Sequence, residues 1–158
     1  MIRPEIVRAA ALAMLLTLLP SFVVSQTQPA APASSELSGM FTFLKEGEFV
    51  QLTVEGGELS GFVSRFGDTA DDKGQFIDQF FDKTSLQSEH LTFKTKTVHG
   101  VWYEFDGTLT TTPGKQKGEE GYRVLKGKLT MHNLDAKDVD HPSERTVEFK
   151  SFPDLRRQ

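Results

Sequence analysis

The stretch "FKTKTVHGVWYEFDGTL", residues 93–109, alternates apolar and polar side chains on both sides of a short central turn. A three-residue loop at 98–100, with Gly100 in the left-handed conformation that such loops require, gives two strands with consistent faces. The cross-strand pairs are then Phe93 with Phe105, Lys94 with Glu104, and Thr95 with Tyr103. A two-residue loop would instead mix polar and apolar side chains on both faces, so the stretch predicts a hairpin with a three-residue loop.

The same register assigns each side chain of this hairpin to a face. The inner face carries Leu91, Phe93, Tyr103 and Phe105, and the outer face carries Lys94, Lys96, Trp102 and Glu104. His99 lies in the turn, where the sequence places neither a catalytic triad nor a metal ligand beside it. The hairpin therefore leaves the imidazole without an assigned task.

Two turns upstream predict a further pair of hairpins that share one strand. Each is a two-residue turn, the first at Glu46 and Gly47 and the second at Gly56 and Gly57. The predicted pairs are Phe43–Val50 and Phe41–Leu52 in the first hairpin, and Val54–Leu59, Leu52–Gly61 and Val50–Val63 in the second. Both turns choose the same inner face for the shared strand, and such agreement between independent signals supports the assignment.

Three predicted strands carry a glycine on the inner face. The pattern is apolar-x-Gly-x-apolar and occurs at 59–63, 105–109 and 125–129. Inward glycines in strands mark bends and places where chains approach closely. They therefore predict a closed or strongly curved sheet.

The remaining segments complete a set of eight strands. Residues 75–86 fit either a strand or a short helix, and their length and flanking turns favour the strand. Residues 121–132 form another strand, with a bulge expected at Val124 and Leu125 because the alternation slips there. Residues 145–152 close the set.

The predicted fold is all-β, an eight-stranded antiparallel meander that is closed or nearly closed as an up-and-down barrel. It spans residues 39–152, and residues 153–158 form a C-terminal tail. In strand number and order this segment resembles the lipocalin-like (calycin) barrels of secreted bacterial proteins. The first strand has Gly39-Met40-Phe41 where that family carries Gly-x-Trp. The resemblance implies a carrier with a ligand pocket inside the barrel.

Residues 1–25 predict a cleaved signal peptide. A basic start precedes an unbroken apolar run at 9–19, Pro20 interrupts it, and small or β-branched residues lead to Ser25. Cleavage after Ser25 fits this pattern, and cleavage after Ala33 is a second candidate. A permanent membrane anchor is the alternative, but the apolar segment is shorter than the roughly 20 residues that a span needs.

The segment after the signal, residues 26–38, is rich in Pro, Ala, Ser and Gln and has no hydrophobic period, so it predicts a flexible linker. The chain is then expected to be periplasmic or secreted, with no membrane span once the signal is removed. Removal of residues 1–25 takes away Arg3, Arg8 and Glu5 and leaves 16 basic and 21 acidic residues, a net charge near −5. An acidic surface of this kind argues against nucleic acid as a partner.

Composition and spacing also limit the chemistry. The chain has no cysteine, which excludes disulfides, thiolate metal sites and cysteine nucleophiles. The acidic segment 67–74 fails the spacing of a calcium-binding EF-hand loop, and the segment 132–141, with two histidines and three aspartates, matches no zinc pattern. Both segments favour plain polar loops, so no metal and no cofactor is predicted.

Catalysis is not expected, because nearly every Asp, Glu and His falls in a turn or on an outer face. The exception among charged residues is Arg65, which follows the inner face of its strand. It could hold an anionic ligand at a barrel mouth, but a pair with an acid such as Asp68 is favoured. A hydrolase would require Arg65 or His132 to meet buried carboxylates in space.

The expected function is therefore non-catalytic binding. The candidate binding residues are Trp102, Phe62, Lys96 and Arg65. Outward aromatics can form a docking patch, although Lys96 lying over Trp102 would equally serve as a cross-strand pair. The expected partner is an envelope protein, a glycan or a small apolar ligand. The alternative to an interaction domain is a carrier that holds a small apolar molecule inside the barrel, and the bulk of the inner side chains favours a filled interior.

Overall fold

The computed structural model describes residues 37–68 and 72–154. Its strands are β1 (Gly39–Thr42), β2 (Phe49–Glu55), β3 (Glu58–Phe66), β4 (Phe76–Gln87), β5 (His90–Thr95), β6 (Val101–Thr111), β7 (Arg123–Asn133) and β8 (Ser143–Lys150). Each strand pairs antiparallel with the next one in a single sheet. The predicted eight-stranded meander is confirmed, and the segment that also fitted a helix is strand β4. The predicted signal peptide and most of the predicted linker lie outside the described residues.

The sheet curves until its first and last strands meet, which makes a nearly closed barrel. Phe41 forms a β-bridge with Ser151, and the Phe152 N–H donates to the Met40 carbonyl oxygen at 2.9 Å. The Lys150 N–H donates to the Thr42 hydroxyl at 3.0 Å. Because β1 has only four residues, it joins the end of β8 rather than its full length.

The barrel interior is packed with apolar side chains. Sixteen buried residues form one cluster, which includes Leu37 from the end of the predicted linker. Five rings of this cluster and the partly buried Phe81 that packs against it form a continuous series, with successive centroids 4.3 to 6.2 Å apart: Phe81, Phe93, Phe105, Phe149, Phe43 and Tyr103. These contacts extend from β4 through β6 and β8 back to the residue after β1, so they tie the two sides of the barrel together.

The predicted register is confirmed for the hairpin at Gly56 and Gly57, where all three expected pairs occur. It is wrong for the first hairpin, because Phe41 lies opposite Val50 rather than Leu52. The reason is a four-residue loop at 44–47, in which the Glu48 N–H donates to the Lys45 carbonyl oxygen at 3.0 Å. The shift is two residues, so the same side chains still face inward.

In the hairpin of β5 and β6 the strand register is confirmed, with Phe93 opposite Phe105 and Lys94 opposite Glu104. The predicted three-residue loop is wrong at its tip. Val98 pairs with Val101, and the turn consists of His99 and Gly100, with φ of 50° and 77°. The register therefore shifts by one residue between the Lys94–Glu104 pair and the Val98–Val101 pair, in the segment that follows the end of β5.

The inward glycines lie at close approaches, as predicted. A Cβ on Gly61 would sit 2.0 Å from the Gln51 carbonyl oxygen, and Gly107 lies directly opposite Gly127. The bulge predicted at Val124 and Leu125 is wrong, because β7 keeps a continuous register with both neighbours. Both side chains are buried, which explains the slipped alternation. The observed irregularity lies in β4 instead, between Phe81 and Lys83.

Candidate functional site

Arg65 lies inside the end of the barrel where β3 stops, and only 2% of it is exposed. Its Nε donates to Gln79 Oε1 at 2.6 Å, and its Nη1 donates to the Phe66 carbonyl oxygen at 3.0 Å and to Asp68 Oδ2 at 3.1 Å. The predicted pair with Asp68 is confirmed. Because these donors are used within the protein, Arg65 is positioned to hold β3, β4 and the following loop together.

Two buried polar residues that the sequence did not single out complete this end of the barrel. Gln79 is fully buried, and its Nε2 donates to the carbonyl oxygens of Lys96 and Val101 at 3.2 and 2.8 Å. The Glu48 carboxylate accepts from the N–H groups of Lys45 and Phe66, each at 3.1 Å. The only sequence signal for Gln79 is its inward position, between Ile77 and Phe81 on the same alternation of β4.

Tyr103 lies next to this polar layer. Its ring meets Phe43 edge-on at 5.2 Å. Burial raises the pKa of its hydroxyl to about 12, and the nearby carboxylates of Glu48 and Asp68 act in the same direction while Arg65 opposes them. The hydroxyl is therefore protonated at any physiological pH and is not a base.

Trp102 lies on the outside of the barrel, in contact with the titratable side chains of His132 and Lys94. Its indole stacks on the His132 ring at 4.5 Å with 6° between the planes, and Lys94 Nζ lies 5.3 Å from the indole centroid. The expectation that Lys96 covers Trp102 is wrong. Lys94 takes that position because its ammonium also bonds Glu104 at 2.8 Å across the strands. That hydrogen bond lowers the pKa of the Glu104 carboxyl.

His132 is oriented by a carboxylate from the loop between β7 and β8. Its Nδ1 lies 2.6 Å from Asp140 Oδ2, and its Nε2 lies 3.9 Å from Glu104 Oε2, beyond hydrogen-bond range. The Asp140 and Glu104 side chains are 33% and 45% exposed. His132 thus meets carboxylates, but not the buried ones that a hydrolase would require.

The imidazole of His99 does have a partner, contrary to the expectation from sequence. Its Nδ1 lies 2.7 Å from Asp72 Oδ2, which joins the tip of the β5–β6 turn to the loop between β3 and β4. His141 contacts Asp135 at 3.1 Å within the β7–β8 loop. In residues 37–68 and 72–154, no group of three His, Asp or Glu side chains could hold a metal ion.

Phe62 belongs to an aromatic patch on the outer side of β2, β3 and β4. We call this patch the phenylalanine face and define it as Phe49, Phe62, Phe66, Phe76 and Phe80. Ring centroids are 5.8 Å apart for Phe49 and Phe62, 5.4 Å for Phe62 and Phe80, and 4.5 Å for Phe66 and Phe76. Phe76 and Phe80 are 54% and 56% exposed.

The structure places the four predicted binding residues in three regions. Phe62 lies in the phenylalanine face, and the Lys96 N–H donates to the Phe80 carbonyl oxygen at 2.8 Å, which puts Lys96 at the edge of that face. Trp102 lies in the cluster with His132, and Arg65 lies inside the barrel end. Sequence reasoning missed the other members of the face, although each lies on the outward alternation of its strand.

An open cleft of about 510 Å³ lies beside the Trp102 cluster. Its lining includes Lys83, Lys94, Glu104, Lys128, Thr130 and Glu144. Two cross-strand ion pairs, Lys94 with Glu104 and Lys128 with Glu144, already join most of these charges. Four of the charges around this cleft are therefore neutralised in pairs, and Phe93 and Phe105 also contribute to its lining.

The part of the chain that the structure describes contains no helix with the length and apolar character needed to cross a membrane. No protein-family model, no curated protein and no solved structure matches this chain.

Proposed function

We propose that this chain is an exported, non-catalytic binding domain with a lipocalin-like barrel, which engages its partner through the phenylalanine face. The observation that carries the proposal is the exposure of Phe76 and Phe80, more than half of each side chain, next to three other rings on the same sheet face. Contiguous exposed apolar patches on soluble domains mark interaction sites. A periplasmic or secreted location follows from the predicted signal peptide.

The energetics support a docking role for these rings. Full burial of an aromatic side chain contributes about 1.5–3 kcal/mol of free energy. Because Phe76 and Phe80 are each about half exposed, a partner that covers them would gain part of this free energy on binding. The barrel interior, by contrast, is occupied by the aromatic series from Phe81 to Tyr103. This packing favours the surface over the lumen as the place where a partner binds.

The histidines support binding rather than catalysis. Each of the four is paired with an aspartate, and three of these pairs lie in or beside loops at one end of the barrel. Such pairs connect loops or make them more rigid. In nucleophilic catalysis, by contrast, the histidine would act as a base and would point toward a nucleophilic side chain. Asp140 and Asp72 therefore serve to position loops in this proposal.

An apolar anilinonaphthalene dye distinguishes the surface from the lumen. The variant that combines Phe76→Ser with Phe80→Ser should bind the dye far less than the native chain and should unfold at a similar denaturant concentration. Val139→Ser is the matched control, because Val139 is also 50% exposed but lies in the β7–β8 loop. Dye binding that survives the double variant and disappears with Phe93→Ala would instead identify the chain as a carrier.

A further inference from the structure

We infer that the partner of the phenylalanine face is a neutral polysaccharide. This inference rests on the proposed function, since it names the ligand class of the same surface. It is carried by the arrangement of polar groups among the rings. Ser64 and Asp78 lie opposite each other on β3 and β4, and this pair lies between the Phe62–Phe80 pair and the Phe66–Phe76 pair.

Asp78 is held ready to accept hydrogen bonds. The Ser64 hydroxyl, which is 2% exposed, donates to Asp78 Oδ1 at 2.7 Å and so fixes the carboxylate. Asp78 itself is exposed, and within the described residues its Oδ2 has no protein donor. A carboxylate in this state accepts hydroxyl hydrogen bonds from a ligand without first breaking a bond of its own.

The two most exposed rings flank this carboxylate on one strand. Phe76 and Phe80 each lie two residues from Asp78, so all three side chains point to the same face of β4. Four residues of strand separate the two rings by about 13 Å. A sugar ring offers C–H groups on its faces and hydroxyl groups at its edge. An extended oligosaccharide along β4 would therefore contact Phe76, Asp78 and Phe80 in turn.

The charge of the face selects among ligand classes. The polar residues among its rings are Gln51, Ser64 and Asp78, none of which is cationic, and Lys96 lies at its edge. Phosphate-rich polymers, acidic glycans and anionic membranes need clusters of basic residues, whereas no basic residue lies among these rings and Lys96 lies only at the edge of the face. A second copy docked on the same face by two-fold symmetry would bring two Asp78 carboxylates near each other, which is unfavourable. Neutral, hydroxyl-rich chains need no basic residues and bring no second carboxylate close to Asp78.

A glycan array that includes neutral and acidic polysaccharides tests the inference with the purified chain. We expect binding to at least one neutral glycan, confirmed by retardation in native gels that contain it. Phe80→Ser and Asp78→Asn should each weaken this binding more than tenfold. Asp82→Asn is the matched control, because it removes an exposed carboxylate from the same strand, and it should leave the affinity unchanged within about twofold.

Three results would overturn the inference: no neutral glycan is bound, acidic glycans are preferred, or the Asp78→Asn and Asp82→Asn variants lose affinity equally. Zwitterionic lipid vesicles serve as the comparison ligand, and binding to vesicles alone would assign the face to a lipid surface. The dye experiment separates the two proposals. If the dye still binds the phenylalanine face while every glycan fails, the binding function stands and only the ligand class is wrong.

Discussion

Single polar residues decide how one end of this barrel is closed. Glu48, Arg65 and Gln79 are almost completely buried, and each bonds groups on a different element from its own. Buried polar groups are tolerated only when they are paired, so Arg65 and Gln79 depend on each other and Glu48 depends on the N–H groups of Lys45 and Phe66. Tyr103 borders the same layer, and the raised pKa of its hydroxyl reflects the exclusion of water from this end of the barrel.

In the Tyr103→Phe variant, the free energy of unfolding should fall less between pH 10 and pH 12 than it does in the native chain. The folded pKa is raised from 10.0 to about 12, so the protonated hydroxyl stabilises the fold below pH 10 and this contribution is lost as the pH rises to 12. The loss amounts to at most about 3 kcal/mol in free energy of unfolding. Denaturant titrations at pH 9 through 12 would measure it. Equal losses in Tyr103→Phe and the native chain would show that the hydroxyl is not protected by burial.

At the scale of the strands, the two faces of β5 and β6 have different energetic roles. On the inner face, Phe93 stacks between Phe81 and Phe105, with centroids at 4.3 and 5.2 Å. On the outer face, Trp102 rests against His132 and Lys94 in partial contact with water. The inner ring contributes mainly through burial, whereas the outer one contributes through weaker pairwise contacts.

Phe93→Ala should therefore lower the free energy of unfolding by roughly 3–5 kcal/mol, the usual cost of removing an aromatic ring from a filled core. Trp102→Ala should cost distinctly less, because the indole is only partly buried. Chemical denaturation of both variants beside the native chain measures the difference. A Phe93→Ala variant with nearly native stability would mean that the interior tolerates empty space, as a ligand carrier does.

At the scale of the whole molecule, contacts between loops link successive hairpins at one end. Asp72 and His99 connect the β3–β4 loop to the β5–β6 turn, and the Leu134 N–H donates to the Gly100 carbonyl oxygen at 2.9 Å. Lys45 reaches Asp68 at 3.1 Å from the β1–β2 loop. Residues 1–25, which lie outside the described residues, carry the predicted export signal.

Export is tested by expression of the full chain in a Gram-negative host, followed by fractionation and N-terminal sequencing. The mature protein should begin near Gln26 and should be recovered outside the cytoplasm, because residues 1–25 have the pattern of a signal peptide. Leu15→Arg places a charge in the apolar run and should leave the chain uncleaved in the cytoplasm. A native chain found full-length in the cytoplasm would contradict the proposal.

Local patterns in the sequence were sufficient for the fold class and for most of the inner face. Alternation with period two and turn glycines are short-range signals, so they predicted the antiparallel meander, the pairs across Gly56 and Gly57, and the pairing of Phe93 with Phe105. They failed where loop contacts decide the local geometry. The Glu48 carboxylate bonds the N–H groups of Lys45 and Phe66 and so stabilises a longer first loop. Phe66 lies on β3, so no sequence pattern near the turn indicates this contact.

The candidate site depended far more on tertiary structure. Phe62 was predicted as outward and aromatic, but its neighbours Phe49 and Phe80 lie on other strands, and only the registers of β2, β3 and β4 bring the rings together. The bond between His99 and Asp72 likewise joins residues that are 27 positions apart in the chain. The sequence by itself determined which side chains point in or out, because that depends on strand period. Which outward side chains become neighbours depends on register and curvature, and only the folded barrel decides these.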